Sequence, residues 1–382
     1  MKIGVMTFWW SQDNYGQLLQ CYALQKYLRD LGHDAYLIRY DPRGDYVKSP
    51  VWKKILKAFN PIKLRMFLLS KKRRAADIKE KRDNPRDFEG FRDRHIRQSE
   101  KIYYSYKQLV ENPPEADMYI VGSDQVWSTS GLPVKKAVNK LKAYLLNFGS
   151  PATKRVSYAA SFGKTIDKLD PDFIYVFTSL LKNFDYVLVR EKSGLEICRR
   201  CGIDSAEWVP DPTLLLDADT YRALYAGEKF FHMSGKRYCF LYLVGNDFNF
   251  SVQSVYDWAY DKGLEIVYVT GNSQQDRFVK KHATIPEWLY LLEHAECVIT
   301  NSFHCAVFSL LFGRKFAVIP LAGRHTGMNS RLNSLFQQLH IEERFLNNDF
   351  SVLDMDVDRQ AVSETLKNIK DGCILNEIIC RE

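Results

Sequence analysis

Residues 298–320, VITNSFHCAVFSLLFGRKFAVIP, read as strand, turn, helix and strand. The apolar runs at each end are short and continuous, as in strands buried on both faces of a parallel sheet. Asn301 and Ser302 break the first run, and a helix-length apolar stretch follows up to Gly313. A β-loop-α-β unit of this kind belongs to a doubly wound α/β domain, whose ligands gather at the carboxyl ends of the strands. His304 falls at that end, one step inside the predicted helix.

The same grammar opens the chain. KIGVMT (2–7) reads as a buried strand, FWWSQDNYGQ as a turn-rich loop, and LLQCYALQKYLRDLGH as an amphipathic helix stopped by Gly32. AYLIRY (35–40) is the next strand. The alternation resumes at ADMYIVGSDQVW (116–127), RVSYAASFG (155–163), YVLVRE (186–191), SGLEICRRCG and AEWVPDPTLLL, and pauses near 215–235. A second series then runs through KRYCFLYLVG (236–245), LEIVYVTG (264–271), ECVITNS (296–302) and KFAVIP (315–320). The expectation is an α/β protein of two Rossmann-like, doubly wound domains facing a cleft. Residues 1–220 form the acceptor side and 221–382 the donor side.

At 382 residues, 46% hydrophobic and 26% charged, the chain has the composition of a soluble globular protein with a core in each domain. No apolar run reaches the roughly 18 residues needed to cross a bilayer. The first ten residues read as a strand, not a signal peptide, so the expected location is cytoplasmic. The net charge is +8, and residues 51–82 alone carry twelve Lys/Arg against Asp77 and Glu80. This basic helical insertion, about 51–100, is expected to be a solvated surface or a peripheral contact with anionic lipid. No nucleic-acid-binding motif accompanies the charge. Cys198 and Cys201 form the sole C-x-x-C, so a four-cysteine zinc site is not expected, and no His/Asp/Glu cluster has metal-ligand spacing.

Five segments occupy strand exits: VGSDQVW, SYAASFG, LVREKSG, PDPTLL and TNSFHC. With NYGQLLQCYALQKYL, the LGH after it, and MNSRLNSLF (328–336), they resemble the polysaccharide pyruvyl transferase family, over about residues 3–340 and outside the basic insertion. The resemblance implies a fold like the GT-B glycosyltransferases. It also implies transfer of the enolpyruvyl unit of phosphoenolpyruvate to a sugar of a surface polysaccharide or its lipid-linked precursor. The products would be a cyclic pyruvate ketal and phosphate. Phosphoenolpyruvate is then a co-substrate, and neither a cofactor nor a metal is required.

That chemistry needs a proton donor for C3 of the enol, a base for the sugar hydroxyls, and cations for a small, highly charged anion. His304 fits the donor: a bound dianion at the helix start would favour its charged form. Its structural alternative is a first-turn histidine bonded to a carbonyl. Many family members carry Arg-Leu-His at this point, whereas this chain has Ser302, Phe303 and His304. Ser302 can cap the helix but brings no charge, so the clamp must come from Arg190, Arg324, His325 or Arg331. Asp124, behind Gly122 and Ser123, is the candidate base; a turn aspartate is its alternative. Asn14, Tyr15, Gly16 and Gln17, the FWW before them, and Gln125 and Trp127 are placed on the acceptor side, with Ser161 and Gly163 at the cleft floor. Two other functions suit the same fold: a nucleotide-sugar glycosyltransferase, and a non-catalytic polysaccharide assembly protein.

Overall fold

A computed structural model describes residues 1–45, 64–65, 68–69, 71, 75, 78–80, 82–128, 134–163, 169, 171–230, 235–271, 276–347 and 349–380. Most of the basic stretch 51–82, and its expected lipid contact, lie outside the described residues.

The first domain is a seven-stranded parallel sheet in the order β3-β2-β1-β4-β5-β6-β7. Its strands are β1 (Lys2–Met6), β2 (Asp34–Tyr40), β3 (Gln98–Tyr103), β4 (Met118–Val121), β5 (Lys154–Ala160), β6 (Tyr186–Val189) and β7 (Glu207–Trp208). The chain order reverses between β1 and β4, which pair from Ile3 with Met118 to Met6 with Val121. The loops after those two strands therefore part at the switch point, where a doubly wound sheet leaves a crevice. Helix α1 (Tyr15–Asp30) follows β1, with the Asn14 side chain accepting from Gln17 N at its start. It buries Leu18, Leu19, Cys21, Leu24 and Leu28. The other helices of this domain are α2 (Phe88–His95), α3 (Tyr106–Glu111), α4 (Val134–Tyr144), α5 (Pro171–Leu181) and α6 (Lys192–Arg200). Cys198 and Cys201 are free thiols packed in a core of this domain separate from the one that holds α1.

The short helix α7 (Ala218–Arg222) leads to the second domain, a four-stranded parallel sheet in the order β11-β10-β8-β9. Its strands are β8 (Tyr238–Tyr242), β9 (Glu265–Val269), β10 (Cys297–Thr300) and β11 (Lys315–Val318), with α8 (Val252–Asp261), α9 (Ile285–Glu293), α10 (Phe303–Leu311) and α11 (Ser330–Leu339). The stretch 298–320 is thus β10, α10 and β11. Asn301 accepts from Val244 N at 2.7 Å and donates to Val244 O at 3.0 Å. It thereby ties the exits of β8 and β10 at this sheet's own switch point.

The first sheet's last strand ends at Trp208 and the second sheet's first strand begins at Tyr238. After α12 (Arg359–Asp371), helix α13 (Ile374–Cys380) returns to the first domain. Tyr27 Oη donates to Asn376 Oδ1 at 2.6 Å, and Tyr158 Oη meets Cys373 Sγ at 3.5 Å. Leu375, Ile378 and Ile379 join the core that holds α1.

Among the described residues, no helix is long and apolar enough to cross a membrane.

Candidate active site

The exits of β4, β6, β7 and β10 converge on one carboxylate, that of Asp211. It lies three residues beyond the end of β7 and is fully buried. Its Oδ1 accepts from Thr213 N at 3.1 Å and Thr213 Oγ1 at 2.7 Å. Its Oδ2 accepts from Ser123 Oγ and Arg190 Nη1, both at 2.9 Å. His304 Nε2 stands 3.6 Å from the same Oδ2. Burial opposes the charge on Asp211, but His304 and Arg190 outweigh it and hold the carboxyl far below the usual range. A carboxylate so committed is an anchor, not a base.

Ser123 is held from below. Its N–H donates to Gln20 Oε1 at 3.1 Å, and its carbonyl accepts from Thr7 Oγ1 at 2.9 Å. Gln20 Nε2 completes the ring of bonds on Thr7 Oγ1 at 3.0 Å. Gly122 has φ +122°, and a Cβ there would lie 2.1 Å from Tyr158 O. Glycine is therefore imposed by the neighbouring strand. Asp124 has φ 72°, a conformation that aspartate tolerates better than most residues. Its side chain stays 14% exposed, with Oδ1 3.5 Å from Arg190 Nη2.

Arg190 is buried at the exit of β6. Burial works against its charge, while Asp211, Asp124 and Glu191 sustain it. Arg190 Nε and Nη2 and His304 Nε2 have no hydrogen-bond partner among the described residues. Buried donors left in this state suit an anionic ligand. Glu191, also buried, accepts from Ser161 Oγ at 2.9 Å and from Phe162 N at 3.2 Å, and burial pushes its carboxyl up. Ser161 thus supports Glu191 rather than the cleft floor. Gly163, half-buried, lies against the Gln125 side chain.

Ser302 caps α10, accepting from Cys305 N at 3.4 Å. Phe303 lies beneath two guanidiniums: Arg190 is 5.1 Å and Arg331 is 5.5 Å from its ring centroid. The His304 ring rests on Gly16 in the first turn of α1. A Cβ at Gly16 would lie 2.1 Å from His304 Nδ1. Gly16 is therefore the seat of the imidazole, not an acceptor contact.

Two acceptor assignments are overturned. Tyr15 is fully buried, stacked on Trp288 at 5.3 Å, with its hydroxyl donating to Ala283 O at 2.7 Å. Trp127 is fully buried against Phe162 and Phe177, and its Nε1 donates to Tyr144 O. Both rings belong to the core because their loops turn inward. Asn14 and Gln17 remain half-buried, with Gln17 Oε1 accepting from Ser11 N. That loop is braced by Arg92, whose Nη1 donates to Ser11 O at 2.8 Å, and it leaves Trp10 exposed. The side chains of Arg324 and His325 lie outside the described residues. So do any contacts they make.

Asp211 was missed in the sequence, although PDPTLL was one of the five strand exits. The signal was there: every other exit had yielded a polar candidate.

Among the described residues, no group of three or more His, Cys, Asp or Glu side chains is placed to hold a metal ion. A groove of about 650 Å³ elsewhere, lined by residues such as Leu216, Phe312, Val362 and Lys370, holds none of the side chains around Asp211.

Two doubly wound domains, with a histidine and buried arginines where their strand ends meet, form a GT-B-like fold. The sequence profile of the polysaccharide pyruvyl transferase family matches residues 14–322, and the chain belongs to that family of transferases. Among solved structures, the UDP-GlcNAc 2-epimerase of Neisseria meningitidis bound to UDP-GlcNAc is similar over 100% of both chains, with TM-score 0.50 and 9% identity. The UDP-GlcNAc 2-epimerase of Methanocaldococcus jannaschii, in complex with UDP-GlcNAc and UDP, follows at TM-score 0.49 and 10% identity, over 97% of this chain and 93% of that one. An alpha-glucosyltransferase in complex with UDP and a 13-mer DNA gives TM-score 0.48 and 10% identity, over 99% and 98% of the two chains. At such identities the likeness is one of fold. No curated protein matches the chain.

Proposed function

We propose that this transferase moves the enolpyruvyl unit of phosphoenolpyruvate onto two hydroxyls of a sugar in a surface polysaccharide or its lipid-linked precursor. The observation that carries this reading is the meeting of His304 and Arg190 at Asp211 from opposite domains, with Asp124 beside Arg190, at the strand ends.

His304 Nε2 gives a proton to C3 of the enol, and positive charge develops at C2. The Asp211 carboxylate beside that nitrogen stabilises the imidazolium before transfer. A first sugar hydroxyl adds to C2 and loses its proton to Asp124, the more exposed carboxylate. Arg190 stabilises the phosphate as the C2–O bond breaks. A second hydroxyl then attacks C2, and its proton leaves with the phosphate system. C2 thus exchanges its π bond and its bond to phosphate for two bonds to sugar oxygens, and C3 becomes a methyl group with the proton from His304. Inorganic phosphate departs, and the proton on Asp124 passes to His304 to reset the acid. The half-buried amides of the loop before α1, with Trp10 as a stacking face, supply the acceptor side.

The test is acceptor-dependent phosphate release from phosphoenolpyruvate with a panel of cell-surface glycans. His304→Ala should lower turnover about 10²–10⁴-fold with the fold intact. A variant retaining more than about a tenth of wild-type turnover would remove His304 as the acid. Release of nucleoside diphosphate from a nucleotide sugar, with none of phosphate from phosphoenolpyruvate, would move the protein to glycosyl transfer.

A further inference from the structure

The groove of about 650 Å³ lies at the end of α10 remote from His304, about 12 Å along the helix axis. Its walls are that helix end, the start of β11, the link into α7, and α12. From α12 it takes Arg359, Val362, Ser363, Leu366, Lys367 and Lys370. Steps of three and four residues place these on one stripe of the helix, apolar at its centre and basic at both ends. Leu311, Val357 and Leu366 pack against the core yet stay only partly buried, so the groove has an open apolar floor. Its volume is that of a small-molecule site.

A second recess, of about 210 Å³, adjoins the first and shares Gly313, Arg314, Lys315 and Arg359 with it. There Arg237 pairs with Glu296, Lys262 with Asp354, and Lys315 with Asp356. Arg314 and Arg359 stand at the junction of the two with no salt bridge among the described residues. Asp358, beside Arg359 in the chain, is occupied in capping α12, where it accepts from Ala361 N at 2.9 Å. The carbonyls at the end of α10 would oppose an anion, but Phe312 N, Gly313 N and Arg314 N already bond those of Phe308, Leu310 and Ser309. A hydrocarbon satisfies the floor, and phosphate satisfies guanidiniums, whose fork it matches. One molecule carrying both is a phosphate with an alkyl tail.

We propose that this groove binds an anionic membrane lipid, with one hydrocarbon chain along the floor between α10 and α12 and its phosphate held by Arg314 and Arg359. The site is separate from the one around Asp211 and independent of the reaction proposed there. A lipid drawn up into it seats the second domain on a bilayer surface.

Calorimetric titration of the full chain with decyl phosphate below its micellar concentration tests this, with inorganic phosphate and decanol as the head and the tail alone. Decyl phosphate should bind at least about tenfold more tightly than either part. Arg314→Gln/Arg359→Gln should weaken it about 10- to 100-fold. Leu366→Trp, which fills the floor, should weaken it by about tenfold or more. Arg314 is half-buried and Arg359 exposed, so the arginine variant keeps the test open should Leu366→Trp not fold. Lys367→Gln/Lys370→Gln, at the other end of the stripe, should lose less than the arginine pair; a greater loss there overturns the placement of the phosphate. Flotation with phosphatidylcholine vesicles, with and without phosphatidic acid, identifies the source. Wild type should float with the anionic vesicles more than Leu366→Trp does, and equal flotation overturns a membrane lipid as the occupant. Wild-type affinity for decyl phosphate in a folded Leu366→Trp protein overturns the groove as its site. No binding of decyl phosphate by wild type overturns the lipid outright, and self-association that Leu366→Trp abolishes would then give the groove to a second copy of the chain.

Discussion

Gly16→Ala is the smallest change that separates the proposed acid from the rest of the site. The added Cβ would stand 2.1 Å from His304 Nδ1, 2.4 Å from Cγ and 2.7 Å from Cβ, where ordinary contact begins at 3.4 Å. The ring must therefore retreat by about 1.3 Å, the difference between 3.4 and 2.1 Å. It cannot do so by a terminal rotation, because its own Cβ is also too close. The retreat has to shift the first turn of α10 or the crossing of α1 and α10. Overpacking of this kind costs about 1–3 kcal/mol of stability, while misplacement of a reacting group by about 1 Å can cost about 10²-fold in rate. The variant should fold with its far-ultraviolet circular dichroism intact. At saturating phosphoenolpyruvate and acceptor, its rate of phosphate release should fall about a hundredfold. Wild-type turnover in a folded Gly16→Ala protein would refute the placement of His304 on that seat, and with it the geometry from which the acid role is argued.

Asp211→Asn keeps the shape of the anchor and removes its charge, so Arg190 loses its buried partner; the expected cost is about 3–5 kcal/mol at pH 7. The folded pKa of Asp211 is depressed, so its contribution is complete above the unfolded value of about 3.9 and is lost as pH falls further. The stability gap between wild type and variant in urea titrations should hold at pH 7 and 5, then narrow by about 1.4 kcal/mol per pH unit below about 3.9; no gap at pH 7 would reject the anchor. Tyr15→Phe removes a buried donor to Ala283 O and should destabilise by about 1–3 kcal/mol with the acceptor KM unchanged. A raised acceptor KM would return Tyr15 to the sugar site.

The doubly wound architecture was legible because its strands are buried on both faces and read as unbroken apolar runs. VITNSFHC and KIGVMT therefore announced β10 and β1 without help from tertiary structure. The position of the site was legible for the same reason, since strand exits gather at a switch point. Which exit side chains turn toward the cleft was not. Tyr15 and Trp127 carry the residue types expected of a sugar site, yet the packing of Trp288 and of Phe162 with Phe177 takes them into the core. Gly16 reads as a loop glycine, and only the arrival of His304 from the other half of the chain gives it a reason. Arg331 reads as a clamp candidate from its place in MNSRLN, with a helix-surface charge as its alternative, and only tertiary structure shows that it is buried against Phe303. The return of α13 to α1 was equally hidden, because a helix's apolar stripe states that it packs and not against which domain.

The division of labour between the domains has a mechanistic consequence. Asp211 is satisfied by Thr213, Ser123 and Arg190, all on its own side of the cleft. The first domain therefore presents a finished carboxylate–arginine pair whether or not the second is in place. His304, Phe303 and Arg331 all lie on the second domain, and His304 adds to Asp211 a longer contact of 3.6 Å. A change in the domain crossing would alter that contact first and leave the anchor intact. The acid and its stabilising charge are thus brought together by the same interface that brings the two arginines over one ring. In the proposed reaction, Arg190 of the first domain holds the phosphate from the outset, and proton transfer becomes competent when the second domain sets His304 beside Asp211.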